Sequence, residues 1–125
     1  MFLLDSNIVI WQLRNRADVV ALLRELVEEG PLYASALTRY EILQGARPHE
    51  LPGTMELLDA LETVDVDAEI ADLGGAYSRS YRAQGRTLSP LDCMIAATAI
   101  AHDLTLVTQN VKDFPMPELR LYGRD

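Results

Sequence analysis

The chain has 125 residues, 49% of them hydrophobic, and a formal net charge of −8. That length fills one good core and leaves little for a second, so a single domain over residues 1–125 is expected. The acid excess excludes a generally polyanion-attracting surface, and a nucleic-acid substrate would require a local basic strip or bridging cations.

Phe2 to Leu4 is a short apolar run that reads as a strand, ending at Asp5, and Ile8 to Leu13 continues as a first helix. After the polar break Arg14 to Ala17, Val19, Leu22, Leu23 and Leu26 recur at helical spacing until Gly30-Pro31 stops them. Leu32 to Ala34 is a second strand, and a third helix carrying Leu37, Tyr40, Ile42 and Leu43 closes near Gly45. Arg47 to Gly53 reads as a loop, followed by a helix from Thr54 to about Leu61. Val64 and Val66 alternate with acids as in a half-buried strand, ahead of a long helix from Ala68 towards Ala83.

Pro90 opens a helix to about His102 whose residues are apolar or small on every side, which places it inside the fold. Leu104 to Val107 and Leu119 to Tyr122 are the last strand candidates. Strands alternating with helices imply an α/β three-layer sandwich, a mainly parallel sheet of four to five strands with helices on both faces. Cys93, the sole cysteine, excludes an internal disulfide and has the apolar neighbours of a buried thiol. The longest apolar run, Cys93 to Ala101, is far short of the ~20 residues a membrane span needs. No basic region precedes the apolar N-terminus, so a cytoplasmic protein is expected.

Three acids stand out. Asp5 lies where a strand passes into a helix, at the edge where parallel sheets bind ligands, although Asp5 or Ser6 can equally cap that helix. Glu41 closes the pattern Thr38-Arg39-Tyr40-Glu41, which reads either as a capping box or as a carboxylate on a packed helix face. Asp92 follows Ser89-Pro90-Leu91, again a capping box. It is also the only charge between Arg86 and His102, on a helix that must be buried, where an unpaired carboxylate is costly. Beyond the strand ending at Val107, Thr108 can orient an acid, and Asn110 or Asp113 can ligate directly or through water. All four places fall on the edge that a parallel sheet collects. Several carboxylates in one pocket predict raised pKa values or bound metal, and an oxygen-only site selects Mg²⁺ or Mn²⁺.

Four segments carry a resemblance. Leu3-Leu4-Asp5-Ser6-Asn7-Ile8, Ala36 to Ile42, Leu88 to Ala99 and Leu106 to Phe114 resemble, in order and spacing, the motifs of PIN-domain proteins, in particular VapC-type toxins of toxin–antitoxin pairs. That resemblance implies a metal-dependent endoribonuclease, a small VapB-type antitoxin as inhibitor, and a homodimer. It carries the acidic metal-binding triad onto Asp5, Glu41 and Asp92, with Thr108 as a supporting polar residue. Many relatives have aspartate where this chain has Asn110, so either Asp113 stands in as a fourth catalytic acid or a second metal is held more loosely.

Grip on RNA is expected from arginine, with Arg79, Arg82 and Arg86 forming a helical stripe that either contacts phosphates or is a solvated face. Trp11, Tyr40, Tyr77 and Tyr81 can stack on bases or pack in a core or dimer. His49 and His102 have no partnering acid or serine and read as surface residues. Two rival functions are a phosphatase or phosphotransfer domain with Asp5 as nucleophile, which would want an acid where Asn7 stands, and a degenerate PIN domain kept for binding.

Overall fold

The computed structural model describes residues 1–123. The first strand, β1 (Phe2–Leu4), gives way to α1 (Ser6–Leu13) because Asp5, in extended conformation, accepts a hydrogen bond from Ser6 N at 2.8 Å. The helix ends at Asn15, whose positive φ of 56° is the left-handed geometry asparagine tolerates. Next, α2 (Ala17–Val27) runs to a turn at Gly30 with φ 139°, where a Cβ would come within 2.1 Å of the Met1 side chain. Glycine is therefore favoured by conformation rather than by space, since the end of the flexible Met1 side chain could move aside. The second strand, β2 (Leu32–Ser35), feeds α3 (Ala36–Gly45), capped by Ser35 Oγ accepting from Leu37 N at 3.1 Å.

Arg47 to Gly53 is not a loop throughout: Pro48–Glu50 forms a 3₁₀ turn that runs straight into α4 (Leu51–Ala60). Pro52 permits this because a proline in a first turn gives up an N–H that has no intrahelical partner anyway. The chain continues as β3 (Glu62–Val64), α5 (Ala68–Ala83), α6 (Pro90–Ala101) and β4 (Thr105–Val107), then a 3₁₀ turn at Val111–Asp113.

The four strands are parallel, in the order β3-β2-β1-β4. The expected strand Leu119 to Tyr122 forms only one parallel bridge, Leu121 opposite Leu106. Pro115 and Pro117 lack ladder donors, and β4 is three residues long, so little pairing is on offer. Alternation along the strands divides the core. Leu3 and Leu106 pack with α5 and α6 on one face, while Leu4 and Val107 pack with α1 to α4 on the other. Helix α6 is buried from Cys93 and again from Ile95 to Ala99, as its all-round apolar composition requires. It lies so close to α5 that a Cβ on Gly74 would reach 2.7 Å from Met94 Sδ.

The chain leaves β1 for β2 on one side and returns to it through β4 on the other. Such a reversal opens a crevice at the carboxyl ends of β1 and β4. Asp5 and Thr108 are the first residues beyond those ends.

Candidate active site

The crevice is closed at the backbone by Asp5 N donating to Val107 O at 3.0 Å. Above it, Thr108 Oγ1 donates to Asp5 Oδ2 at 2.7 Å, so both oxygens of this 5%-exposed carboxylate are held, one by Ser6 N and one by Thr108. Asp5 thus both caps α1 and is aimed by a side chain 103 residues away. Burial raises its pKa; the Thr108 and Ser6 hydrogen bonds oppose the rise, and Glu41 and Asp113 add to it.

Glu41 reaches the same neighbourhood from α3. The capping alternative for it does not hold, because the N-cap of α3 is Ser35, three residues before Thr38. Thr38 instead joins two helices. Its hydroxyl and that of Ser6 are hydrogen-bonded at 2.9 Å, both buried, which ties α3 to α1 one turn before Glu41. Glu41 Oε1 is buried with no hydrogen-bond partner among the described residues, a costly condition that a cation would relieve. Asn7 Oδ1 and Gln12 Oε1, both on α1, are in the same condition.

Asp92 lies in the first turn of α6. Only half of its capping box forms, with Ser89 Oγ accepting from Asp92 N at 3.3 Å. Its pKa is pushed up to about 6, first by burial and then by Asp5, Asp113 and Glu41. Asp113, in the short turn after β4, therefore belongs to the same group of charges. Asn110 stands apart: it is exposed, and its contribution is a backbone N–H donated to Thr108 Oγ1 at 3.0 Å. Four acids from well-separated stretches of the sequence act on one another here. Among the described residues, however, no three His, Cys, Asp or Glu side chains are gathered tightly enough to hold one ion as they stand. The donor set is nonetheless chemically suited to a hard divalent cation, being oxygen-only, mutually repelling and partly unpartnered.

The other singled-out residues fall outside this cluster. Arg79, Arg82 and Arg86 are exposed and make no ion pair among the described residues; Arg82 donates to Ser78 Oγ at 3.3 Å, and Arg86 donates to the Lys112 carbonyl. Tyr77 and Tyr81 pack on the α5–α6 core, whereas Tyr40 is 67% exposed. His49 and His102 are exposed and Cys93 is buried, each as the sequence suggests. Sequence reasoning missed Gln12 and the pair Arg14 and Arg16, whose guanidiniums lie 5.6 and 4.9 Å from the Trp11 ring centroid. The spacing of Trp11 and Arg14 on one helix flank was a usable signal; nothing local marked Arg16.

Asp92 imposes a pH signature on the metal-free protein. A carboxyl whose pKa rises from 3.8 unfolded to about 6 folded makes the native state bind the extra proton between those values. Stability is then lost as pH rises through that window. Discounting for solvent screening of a half-buried group, the loss is roughly 1–2 kcal/mol. Urea unfolding in EDTA at pH 4.5 and 7.5 should show this fall, and Asp92→Asn should reduce it by that amount. An identical pH slope in the variant would contradict the assignment.

Comparison with known proteins agrees with the geometry. The PIN domain profile matches residues 2–115. Ribonuclease VapC19 of Mycobacterium tuberculosis is 39% identical over 122 residues, covering 96% of this chain and 98% of that protein. The tRNA(fMet)-specific endonuclease VapC of Shigella flexneri is 31% identical over 118 residues, covering 90% and 89%. Among solved structures, DNA-bound VapBC from Salmonella typhimurium superposes with a TM-score of 0.84 at 26% identity, over 96% of this chain and 95% of that one. The parallel sheet, the acids at its carboxyl edge and a match spanning residues 2–115 lead to one conclusion, that this chain belongs to the PIN-domain family.

Proposed function

We propose that this protein is the endoribonuclease toxin of a toxin–antitoxin pair, hydrolysing RNA phosphodiester bonds at Asp5, Glu41, Asp92 and Asp113 with a divalent cation, Mg²⁺ or Mn²⁺. The observation that carries the reading is the unpartnered, buried Glu41 oxygen within electrostatic reach of two carboxylates whose acidity is weakened. The names of the relatives, ribonuclease and tRNA-specific endonuclease, support the reaction class.

Asp5, Glu41 and Asp92 would hold the cation, with Asp113 as the fourth acid. Bound there, the ion supplies Lewis acidity for activating water and charge to offset the leaving oxygen. The protein's part is orientation. Thr108 fixes the direction of Asp5, Ser6 and Thr38 hold α3 at its distance from α1, and the Asn110 N–H fixes the Thr108 hydroxyl in turn. Asp5 is pre-oriented, while Glu41 keeps an uncommitted oxygen and Asp92 is not closed into a cap. With Asp5 already fixed, Glu41 and Asp92 are the side chains that would complete the ligand set of a bound cation. Arg79, Arg82 and Arg86 offer charge to the RNA backbone, and the Arg86 contact with Lys112 places it beside the turn bearing Asp113.

The VapBC complexes among the structural relatives support a cognate VapB-type antitoxin as partner. A cleft of about 710 Å³ lined by Gln12, Leu13, Glu41, His49 and Leu57 reaches one of the four acids, Glu41, so an antitoxin segment laid in it would cover that carboxylate. Beside Glu41, Leu37, Tyr40, Leu91 and Met94 line an apolar groove of about 360 Å³. No helix among the described residues is long and apolar enough to cross a membrane, and an RNA substrate accords with a cytoplasmic site of action.

Incubation of the purified chain with single-stranded RNA should give cleavage in Mg²⁺ or Mn²⁺ and none in EDTA. Metal-independent cleavage, or a radiolabelled acyl-phosphate on Asp5, would overturn the reading.

A further inference from the structure

The β4 carboxyl-end loop, Thr108 to Asp113, is anchored by a cation at each end. At the Asp113 end stands Arg86, donating to the Lys112 carbonyl. At the other end, Arg16 donates to Gln109 Oε1 at 3.2 Å, one residue from the Thr108 that aims Asp5. This second cation is not free-swinging. Its guanidinium lies 4.9 Å from the Trp11 ring centroid, and Arg14 lies at 5.6 Å on the same indole. Trp11 itself is six residues beyond Asp5, which at helical rise sets it about 9 Å further along the α1 axis.

Two arginines on one indole are repelled by each other, and the ring's negative face offsets part of that repulsion. The arrangement holds both guanidiniums in place, with N–H donors left over for a planar or tetrahedral anion. Asp18 neutralises Arg16 in part, through an exposed contact of 2.8 Å that is worth little in water. Arg14 makes no ion pair among the described residues. In a chain of net charge −8, a pre-oriented double cation beside the acidic crevice stands against the general field.

We propose that Arg14 and Arg16, positioned by Trp11, form a clamp for an RNA backbone phosphate adjacent to the cleaved bond, so that substrate crosses the crevice between this clamp and Arg86. The inference deepens the nuclease reading and rests on it for the identity of the anion. The clamp acts through phosphate, so its contribution is insensitive to base sequence and falls with salt.

Trp11 is the only tryptophan, so its fluorescence reports on the clamp directly. Titration of the full chain, in EDTA to prevent cleavage, with single-stranded RNA should change Trp11 emission. The double variant Arg14→Gln/Arg16→Gln should bind RNA at least tenfold more weakly, with a salt slope of log Kd shallower by about one to two. With metal present, KM should rise by a similar factor while kcat stays within about twofold, and Mn²⁺ affinity by calorimetry should be unchanged. Unaltered RNA affinity in the double variant would overturn the clamp while leaving the nuclease reading intact. An equal response to polyglutamate would overturn it as well, showing a general anion or acidic-peptide site. If wild-type protein binds RNA in an arginine-dependent way yet never cleaves it, the nuclease reading fails and with it the placement of the clamp beside a cleaved bond, leaving only an arginine–phosphate contact.

Discussion

Asp5→Asn and Asp92→Asn should each lower kcat/KM for RNA cleavage by at least 10³-fold, about 4 kcal/mol of transition-state stabilisation, and should remove Mn²⁺ binding measurable by calorimetry. The two variants should differ in stability. Asparagine caps a helix about as well as aspartate: in Asp5→Asn the one amide oxygen can keep accepting from Ser6 N while the amide nitrogen donates to Thr108 Oγ1, so that variant should stay within about 1 kcal/mol of wild type. Asp92 caps nothing with its side chain and is opposed by burial and three other acids, so Asp92→Asn should be equal to or more stable than wild type at neutral pH without metal. A folded Asp92→Asn protein that still cleaves RNA or is still toxic to cells would remove the carboxylate cluster from the reaction. A clearly destabilised one would mean that the group serves the fold.

Phe114→Ala should cost about 3–5 kcal/mol in urea unfolding, the usual range for emptying a buried aromatic site. Phe114 is 1% exposed and belongs to the core on the α5–α6 face of the sheet. It also follows Asp113 directly, and its N–H closes the 3₁₀ turn onto Val111 O at 3.1 Å. The ring is thus the anchor that keeps the fourth acid facing the crevice. The variant should lose activity beyond what its unfolded fraction explains, because an unanchored Asp113 no longer has a fixed place among the other acids. A loss below 1 kcal/mol would show that the turn is held by its backbone alone.

The clamp and the acid cluster act on the substrate in opposite electrostatic senses. Acids repel it until a cation is bound, whereas Arg14, Arg16 and Arg86 attract it at all times. The net charge of −8 then works against indiscriminate nucleic-acid binding, confining attraction to the edge proposed for hydrolysis.

The chain order of strands and helices was legible in the sequence because each element carries its own periodicity and punctuation, as Gly30-Pro31 ends α2 and Ser89-Pro90 opens α6. The buried character of α6 was legible for the same reason, since a helix without a polar side has nowhere else to go. Asp5, Glu41 and Asp92 could be picked out by position, but what each side chain does there could not. Whether Glu41 caps its helix or joins Asp5 depended on Ser35 taking the cap and on the Ser6–Thr38 contact drawing α3 to α1, both matters of packing. The last strand shrank to one bridge, and Arg47 to Gly53 became helical in part, because edge pairing and a proline-started turn are decided by neighbours rather than by the segment itself. Arg16 beside Gln109, 93 residues away, had no local signature. Local propensity and hydrophobic period are properties of short stretches, whereas the meeting of distant charges is a property of the folded sheet edge alone.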